Sequence, residues 1–339
     1  MITFASDNYA SASDRVMQAI IQANQEHAPA YGADAFTTRA TELIQQSLGG
    51  DYPLWFVGTG TSANTLALKA ILKSYESVIC ADSAHIITHE TGAPHHIIGA
   101  KFLTFPANNG KISPEQITKA YEAETAWSIH ATKPKVVSIT QTTELGTVYS
   151  LEELKAIRQC CDELDLYLHI DGCRIYNAAA SLSCSLADIA QYADVLSLGG
   201  TKAGLMFGEA VVFVNKDLAP GFEYLQKQGL QLFSKMRYLS AQFVALFEHD
   251  HGLEMAQHTN QLASRLGEAL ASIEGCVIDT PVESNMIFVE LPSHIVEQLQ
   301  AHTHFYCRPG SASARLVMSH DVTSEHVDSF ITHCQKLTE

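Results

Sequence analysis

Seven short apolar runs, spaced by amphipathic stretches, set the rhythm of the first two thirds of the chain. Residues 52–58 (YPLWFVG), 77–81 (SVICA), 101–105 (KFLTF), 135–140 (KVVSIT), 166–171 (LYLHID), 194–199 (DVLSLG) and 210–214 (AVVFV) are close to continuously apolar or β-branched. That pattern suits strands covered on both faces. Helical spacing appears over residues 10–28 and 34–48, in TSANTLALKAILKSY after the first run, and over 151–164. The last of these is opened by Ser150 and Glu153, which have the spacing of a capping box. Strands alternating with helices predict an α/β fold with a parallel or mixed sheet between helical layers.

The texture changes near residue 250. A long helical pattern over 252–274 leads into CVIDT, MIFVEL and ARLVMS. These predict a smaller C-terminal α+β unit with a hairpin-rich sheet. The expected division is a large domain over 1–248, including an N-terminal arm, and a small domain over 249–339.

Composition narrows the partners. The 339 residues hold 46% hydrophobic side chains, and 21 basic against 37 acidic residues give a net charge of −16. Such a surface repels phosphate backbones and anionic lipid, so neither nucleic acid nor membrane is an expected partner. Eight cysteines are scattered without a CxxC pair, and are read as reduced thiols of a cytoplasmic protein, with no metal site. The start, MITFASDNYA, lacks the basic-then-apolar order of a signal peptide.

Three stretches carry chemistry. In FVGTGTSANTLAL, Gly60, Thr61 and Ser62 stand where a strand turns into a helix. Backbone amides and hydroxyls there suit an anion such as phosphate, although an ordinary threonine-capped turn has the same look. The spacing is neither GxGxxG nor a Walker motif. In LHIDGCRIYNAA, Asp171 ends an apolar strand, at the edge where open α/β sheets bind ligands. It suits a cationic ring nitrogen or a metal, or an ion pair with Arg174 across a turn. In SLGGTKAG, Lys202 follows another apolar strand among small residues. A lysine in a dry pocket becomes a nucleophilic amine, whereas most lysines simply reach out to solvent. Taken together, a phosphate cradle, a carboxylate and a Schiff-base lysine at successive strand ends are the parts needed to hold pyridoxal phosphate.

The sequence also resembles a known family over nearly its whole length. FASDNYA, YGADAFTTRATEL, GTGTSANTLAL, ADSAHIITHETGAP, HIDGCRIYNAA, LGGTKAG and ARLVMSHDVT follow the order and spacing of the threonine aldolase (β-eliminating lyase) family of fold-type-I pyridoxal-phosphate enzymes. SITQTTELGTVYS and GGTKAGLMFGEAV resemble its low-specificity or phenylserine aldolase subgroup. The resemblance implies a mostly parallel seven-stranded sheet flanked by helices. It implies that Lys202 carries the cofactor, that Asp171 pairs with the pyridine nitrogen, and that Gly60, Thr61, Ser62 and Thr201 hold the phosphate. It further implies that His85 stacks on the ring and that Ser6, Arg174 and Arg315 grip the substrate carboxylate. His130 would lie near the substrate hydroxyl. Tyr31 would reach the site from a neighbouring subunit, and Arg237 would touch the phosphate across that interface, in a homodimer or homotetramer with shared sites.

The implied reaction is retro-aldol cleavage of L-threonine, L-allo-threonine or phenylserine to glycine and an aldehyde, with His85, His130 or a water as base. Cys173, TKAG and the pair Thr140–Gln141 depart from the more familiar aldolases, which unsettles substrate preference. A β-eliminating lyase, an aminotransferase and a non-catalytic carrier of the cofactor are the alternatives on the same scaffold.

Overall fold

The computed structural model describes residues 3–307 and 311–338. Seven strands form the main sheet: β1 (Leu54–Val57), β2 (Glu76–Ala81), β3 (Lys101–Phe105), β4 (Lys133–Thr140), β5 (Tyr167–Gly172), β6 (Val195–Leu198) and β7 (Glu209–Phe213). Their order is β1-β7-β6-β5-β4-β2-β3. β3, β2, β4, β5 and β6 run parallel, and β7 is antiparallel to both β6 and β1.

The apolar runs explain the central position of β4 to β7. Val136, Val137, Leu168, Ile170, Val195, Leu196, Val211 and Val212 are wholly buried between helical layers. Each such side chain contributes roughly 1.5–3 kcal/mol of apolar burial. β3 forms one edge of the sheet and is only half covered. Its run of large side chains reads like a core strand, and only its place in the order exposes it.

The first helix is shorter than its pattern suggests. It spans Asp14–Ala23, because the Ser13 hydroxyl accepts from the Val16 amide and fixes the start there. A single 3-10 turn, Asp7–Tyr9, precedes it.

The second sheet is antiparallel, in the order β10-β11-β9-β8. Its members are β8 (Val277–Ile278), β9 (Met286–Glu290), β10 (Tyr306–Cys307) and β11 (Ser313–Val317). β10 is too short to leave a periodic signal.

Two apolar cores result, and the helix His251–Ala271 serves both. Its Ala256 packs into the first, whereas Leu262, Ala263, Leu266 and Leu270 pack into the second. The N-terminal arm also crosses over. Phe4 lies in the second core, and its carbonyl accepts from the Val317 amide at 2.8 Å. This strap brings Ser6 and Asp7 beneath the carboxyl ends of the main strands. Among the described residues no helix is long and apolar enough to cross a membrane.

Candidate active site

Parallel strands gather their carboxyl ends at one edge, and register places Thr140, Asp171 and Ser197 side by side there. Asp171 is buried. Its Oδ1 accepts from the Cys173 amide at 3.0 Å and its Oδ2 from Asn64 Nδ2 at 2.7 Å. Asn64 comes from the helix Gly60–Ile71, so the turn after β1 and the end of β5 are joined by one hydrogen bond. Two residues before Asp171, His169 lies wholly buried between Ser138 and Ser197, and burial pushes its ring down to about 4. It is a neutral spacer inside the sheet.

The Lys202 segment is built on close backbone approaches. A Cβ on Gly199 would stand 2.5 Å from the Cys173 carbonyl oxygen, and one on Gly200 would collide with the Gly208 carbonyl. Glycine is therefore the residue that fits at both positions. The Thr201 hydroxyl accepts from the Gly208 amide at 3.0 Å, closing the loop around Lys202. Beneath it, buried Glu209 accepts from the Gly200 amide at 2.7 Å. Burial raises the Glu209 carboxyl to about 7, against the opposing pull of Thr201, Gly200 and the Lys202 charge.

Arg174 follows Asp171 on the same turn, but its ion-pair partner is Asp7. Nε and Nη2 of Arg174 donate to Oδ2 and Oδ1 of Asp7 at 2.7 and 3.0 Å. Both side chains are buried. Burial alone would raise the Asp7 carboxyl; the Arg174 and Lys202 charges and hydrogen bonds from Arg174 and Asn285 outweigh it and hold the group below the usual range. Arg315 stands on β11 beside this pair. Its Nη2 donates to the Ala5 carbonyl at 2.9 Å and its guanidinium lies over the Tyr306 ring. The nearby Arg174 charge and burial both hold its proton affinity down, with burial the larger cause. Ser6, in the same strap, accepts from the Asn8 amide through its hydroxyl.

His85 follows β2 on this edge. Its amide donates to Glu144 Oε1 at 2.9 Å, and its Nδ1 lies 2.9 Å from Glu90 Oε1. Glu144 also accepts from the Thr140 hydroxyl at 2.7 Å, and burial raises its carboxyl. Gln141, the other departure from the familiar pattern, brackets Tyr149 with both ends of its amide and closes the loop after β4.

Gly60, Thr61 and Ser62, expected to cradle the phosphate, lie together at the start of one helix. The helix Gly60–Ile71 is capped by Thr59, whose hydroxyl accepts from the Ser62 amide at 3.1 Å; the Ser62 hydroxyl in turn donates to the Thr59 carbonyl at 2.7 Å. Ser62 is thus engaged in the cap. The Gly60 and Thr61 amides head the helix without intrahelical partners, and a Cβ placed on Gly60 would meet nothing within 4 Å.

Three expected site residues stand apart. His130 is exposed in the 3-10 turn Ser128–His130, before the amino end of β4. The seven residue steps from Lys133 to Thr140 alone separate the two edges by about 23 Å. The expectation that His130 sits near the substrate hydroxyl therefore fails within one chain, because strand direction carries it to the opposite edge. Tyr31 is 55% exposed, with Lys227 over its ring. Arg237 donates to the Glu26 carbonyl and lies over Tyr238. Both are expected to act across a subunit boundary, a contact that one chain does not display. Asp7, Asn64, Glu90, Glu144 and Glu209 carry no role in the sequence reading, although each lies inside one of the quoted motifs.

Residues 3–294 match the Beta-eliminating lyase family. The chain belongs to this family. Among its relatives, the low specificity L-threonine aldolase of Pseudomonas aeruginosa is 43% identical over 328 residues, covering 96% of this chain and 94% of that one. The enzyme of the same description from Pseudomonas sp. (strain NCIMB 10558) is 42% identical over the same shares. The structure of Leishmania major threonine aldolase superposes with a TM-score of 0.95 at 31% identity, covering both chains completely. As a β-eliminating lyase family member the chain has the fold-type-I architecture expected from its motifs, and its carboxyl-edge cluster occupies the place where that architecture does chemistry.

Proposed function

We propose that this protein is a pyridoxal-phosphate-dependent aldolase that cleaves L-threonine, L-allo-threonine or phenylserine-like β-hydroxy-α-amino acids to glycine and an aldehyde. The observation that carries the reading is the grouping of Lys202, Asp171, Arg174, Arg315 and His85 at one sheet edge, in a chain 43% identical to a low specificity L-threonine aldolase.

The donor set fits the cofactor. Lys202 offers the amine, and Gly60 and Thr61 offer free amides over open space. Asp171, fixed by Asn64 and the Cys173 amide, would pair with the ring nitrogen. When bound, pyridoxal phosphate supplies an electron-withdrawing ring that accepts the electron pair of the broken Cα–Cβ bond. The protein's own contribution is placement. Arg315, helped by Arg174 and Ser6, binds the substrate carboxylate and thereby selects which bond at Cα is aligned for cleavage. His85 is the histidine of this edge and takes the proton of the β-hydroxyl. Thr201 and Glu209 brace the loop that aims Lys202.

Exposed Met17, Ile21, Tyr31, Met206, Phe207 and Leu230 are large apolar side chains left in water, and they support a homo-oligomer that covers them. A cytoplasmic location suits the eight unpaired thiols. The separate cores support a division of the chain near residues 248–249.

Borohydride reduction of the holoenzyme followed by peptide mapping tests the site: the label is expected on Lys202, and a label elsewhere overturns it. Product analysis with threonine and phenylserine tests the reaction. Glycine and aldehyde are expected; ammonia or a keto acid as the main product overturns the aldolase reading.

A further inference from the structure

Glu90 has no part in the reaction as described above, yet it is among the most enclosed ionisable side chains at this edge. Its side chain is fully covered, and its Oε1 is shared by two nitrogens: His85 Nδ1 at 2.9 Å and Asn64 Nδ2 at 3.0 Å. Asn64 Nδ2 also reaches Asp171 Oδ2 at 2.7 Å. With both carboxyl groups as carboxylates, the chemistry of these four groups leaves one consistent arrangement. Both hydrogens of the Asn64 amide nitrogen point at carboxylate oxygens, one on Asp171 and one on Glu90. The reversed amide would set its oxygen against two acceptors. Glu90 Oε1 is then an acceptor, so the imidazole nitrogen facing it must carry a hydrogen. In the neutral ring that leaves Nε2 as the unprotonated atom.

Two buried atoms of the cluster, Asn64 Oδ1 and Glu90 Oε2, have no hydrogen-bond partner among the described residues. Buried polar atoms without partners are uncommon in folded proteins, and local rules of this kind are broken mostly where function requires it.

We propose that Glu90 is a positioning residue that holds His85 in the Nδ1–H tautomer, with Nε2 free to accept a proton, and that Asn64 ties this histidine to the Asp171 carboxylate. The inference deepens the reading under Proposed function and rests on it for the role of His85. A single rigid network would then set both ends of the reaction: the carboxylate facing the ring nitrogen and the base facing the hydroxyl.

Nitrogen-15 imidazole spectra of the holoenzyme and of the cofactor-free protein test the tautomer directly. The expected result is a hydrogen on Nδ1 of His85 in the wild type and a loss of that preference in Glu90→Ala. Glu90→Ala is expected to lower kcat by about 10- to 100-fold with little change in KM. Glu90→Gln, which keeps an acceptor oxygen, should retain the tautomer and lose less. In a His85→Ala background Glu90→Ala should cost less than about twofold, because a residue acting through His85 has nothing left to position. A hydrogen on Nε2 in the wild type, or an equal kcat loss in both backgrounds, would overturn the proposal. The tautomer is read without turnover. Absence of aldol cleavage would therefore defeat the reaction assigned above, while the spectrum alone decides the His85–Glu90 geometry.

Discussion

The two ends of β4 and β5 share the same strands and differ in almost everything else. At the carboxyl end, Thr140 and Asp171 lie in register among buried partners: Arg174 with Asp7, Glu209 under the Lys202 loop, Glu144 against the His85 amide. At the amino end, Lys135 bonds Asp165, whose side chain is 88% exposed, and His130 stands in solvent beside Trp127 and Ile129. Water screens charges at the second edge and is excluded from those at the first. A residue type with chemical potential becomes part of a site only at the edge where the sheet and the N-terminal strap exclude water.

The largest effect at the buried edge is expected from Lys202→Ala. Cleavage should fall by on the order of 10⁴-fold or more, measured as aldehyde release, and the protein should no longer take a borohydride label at this position. Retained turnover would remove the carboxyl edge from the chemistry altogether.

The ion pairs of the two ends give the next contrast. Asp7→Ala strands the Arg174 charge in a buried site and should cost about 3–5 kcal/mol in urea unfolding. Asp165→Ala breaks an exposed pair and should cost under about 1 kcal/mol. Equal losses would show that burial does not separate the two edges as argued.

Glu209 makes the comparison depend on pH. Its folded value, about 7, lies above the ordinary 4.5, so the folded state holds the proton more tightly than the unfolded chain. That contribution to stability is complete below pH 4.5 and is lost as pH rises toward 7; above 7 the ionised buried group is a penalty of about 3 kcal/mol. Glu209→Gln keeps an acceptor for the Gly200 amide and cannot ionise. Its stability relative to wild type should therefore improve by about 2–3 kcal/mol between pH 5 and pH 8. A flat difference across that range would place the Glu209 carboxyl in contact with solvent.

The smallest effect is expected from His130→Ala, which should leave kcat within about threefold while His85→Ala costs 10²-fold or more. A loss of His85 size from His130 would mean that the amino edge of one chain completes the carboxyl edge of another.

Sequence pattern made the strands legible because continuous apolar runs have one stable fate in an α/β sheet. Lys202, Asp171 and the Gly60 turn were legible because each follows such a run, so strand direction alone brings them to one edge. The glycines around Lys202 were legible as small residues, but their reason, the backbone of Cys173 and Gly208, is a contact across the fold. Arg174 shows the limit most sharply. Its nearest carboxylate in sequence, Asp171, is bound by Asn64 instead, and its true partner lies 167 residues away in the strap. Glu90 stood inside a quoted motif without a role, since nothing in its spacing discloses that Asn64 will share its oxygen with His85.

Sequence by itself determined the alternation of strands and helices, the change of texture near residue 250, and the residue types at the strand ends, because these depend on local periodicity and on which groups water tolerates. Tertiary structure decided which charges are paired, which histidine faces the site and which carboxyl groups are lifted by burial. Those properties depend on distances between residues remote in the chain and on the exclusion of water, and neither quantity exists until the chain has folded.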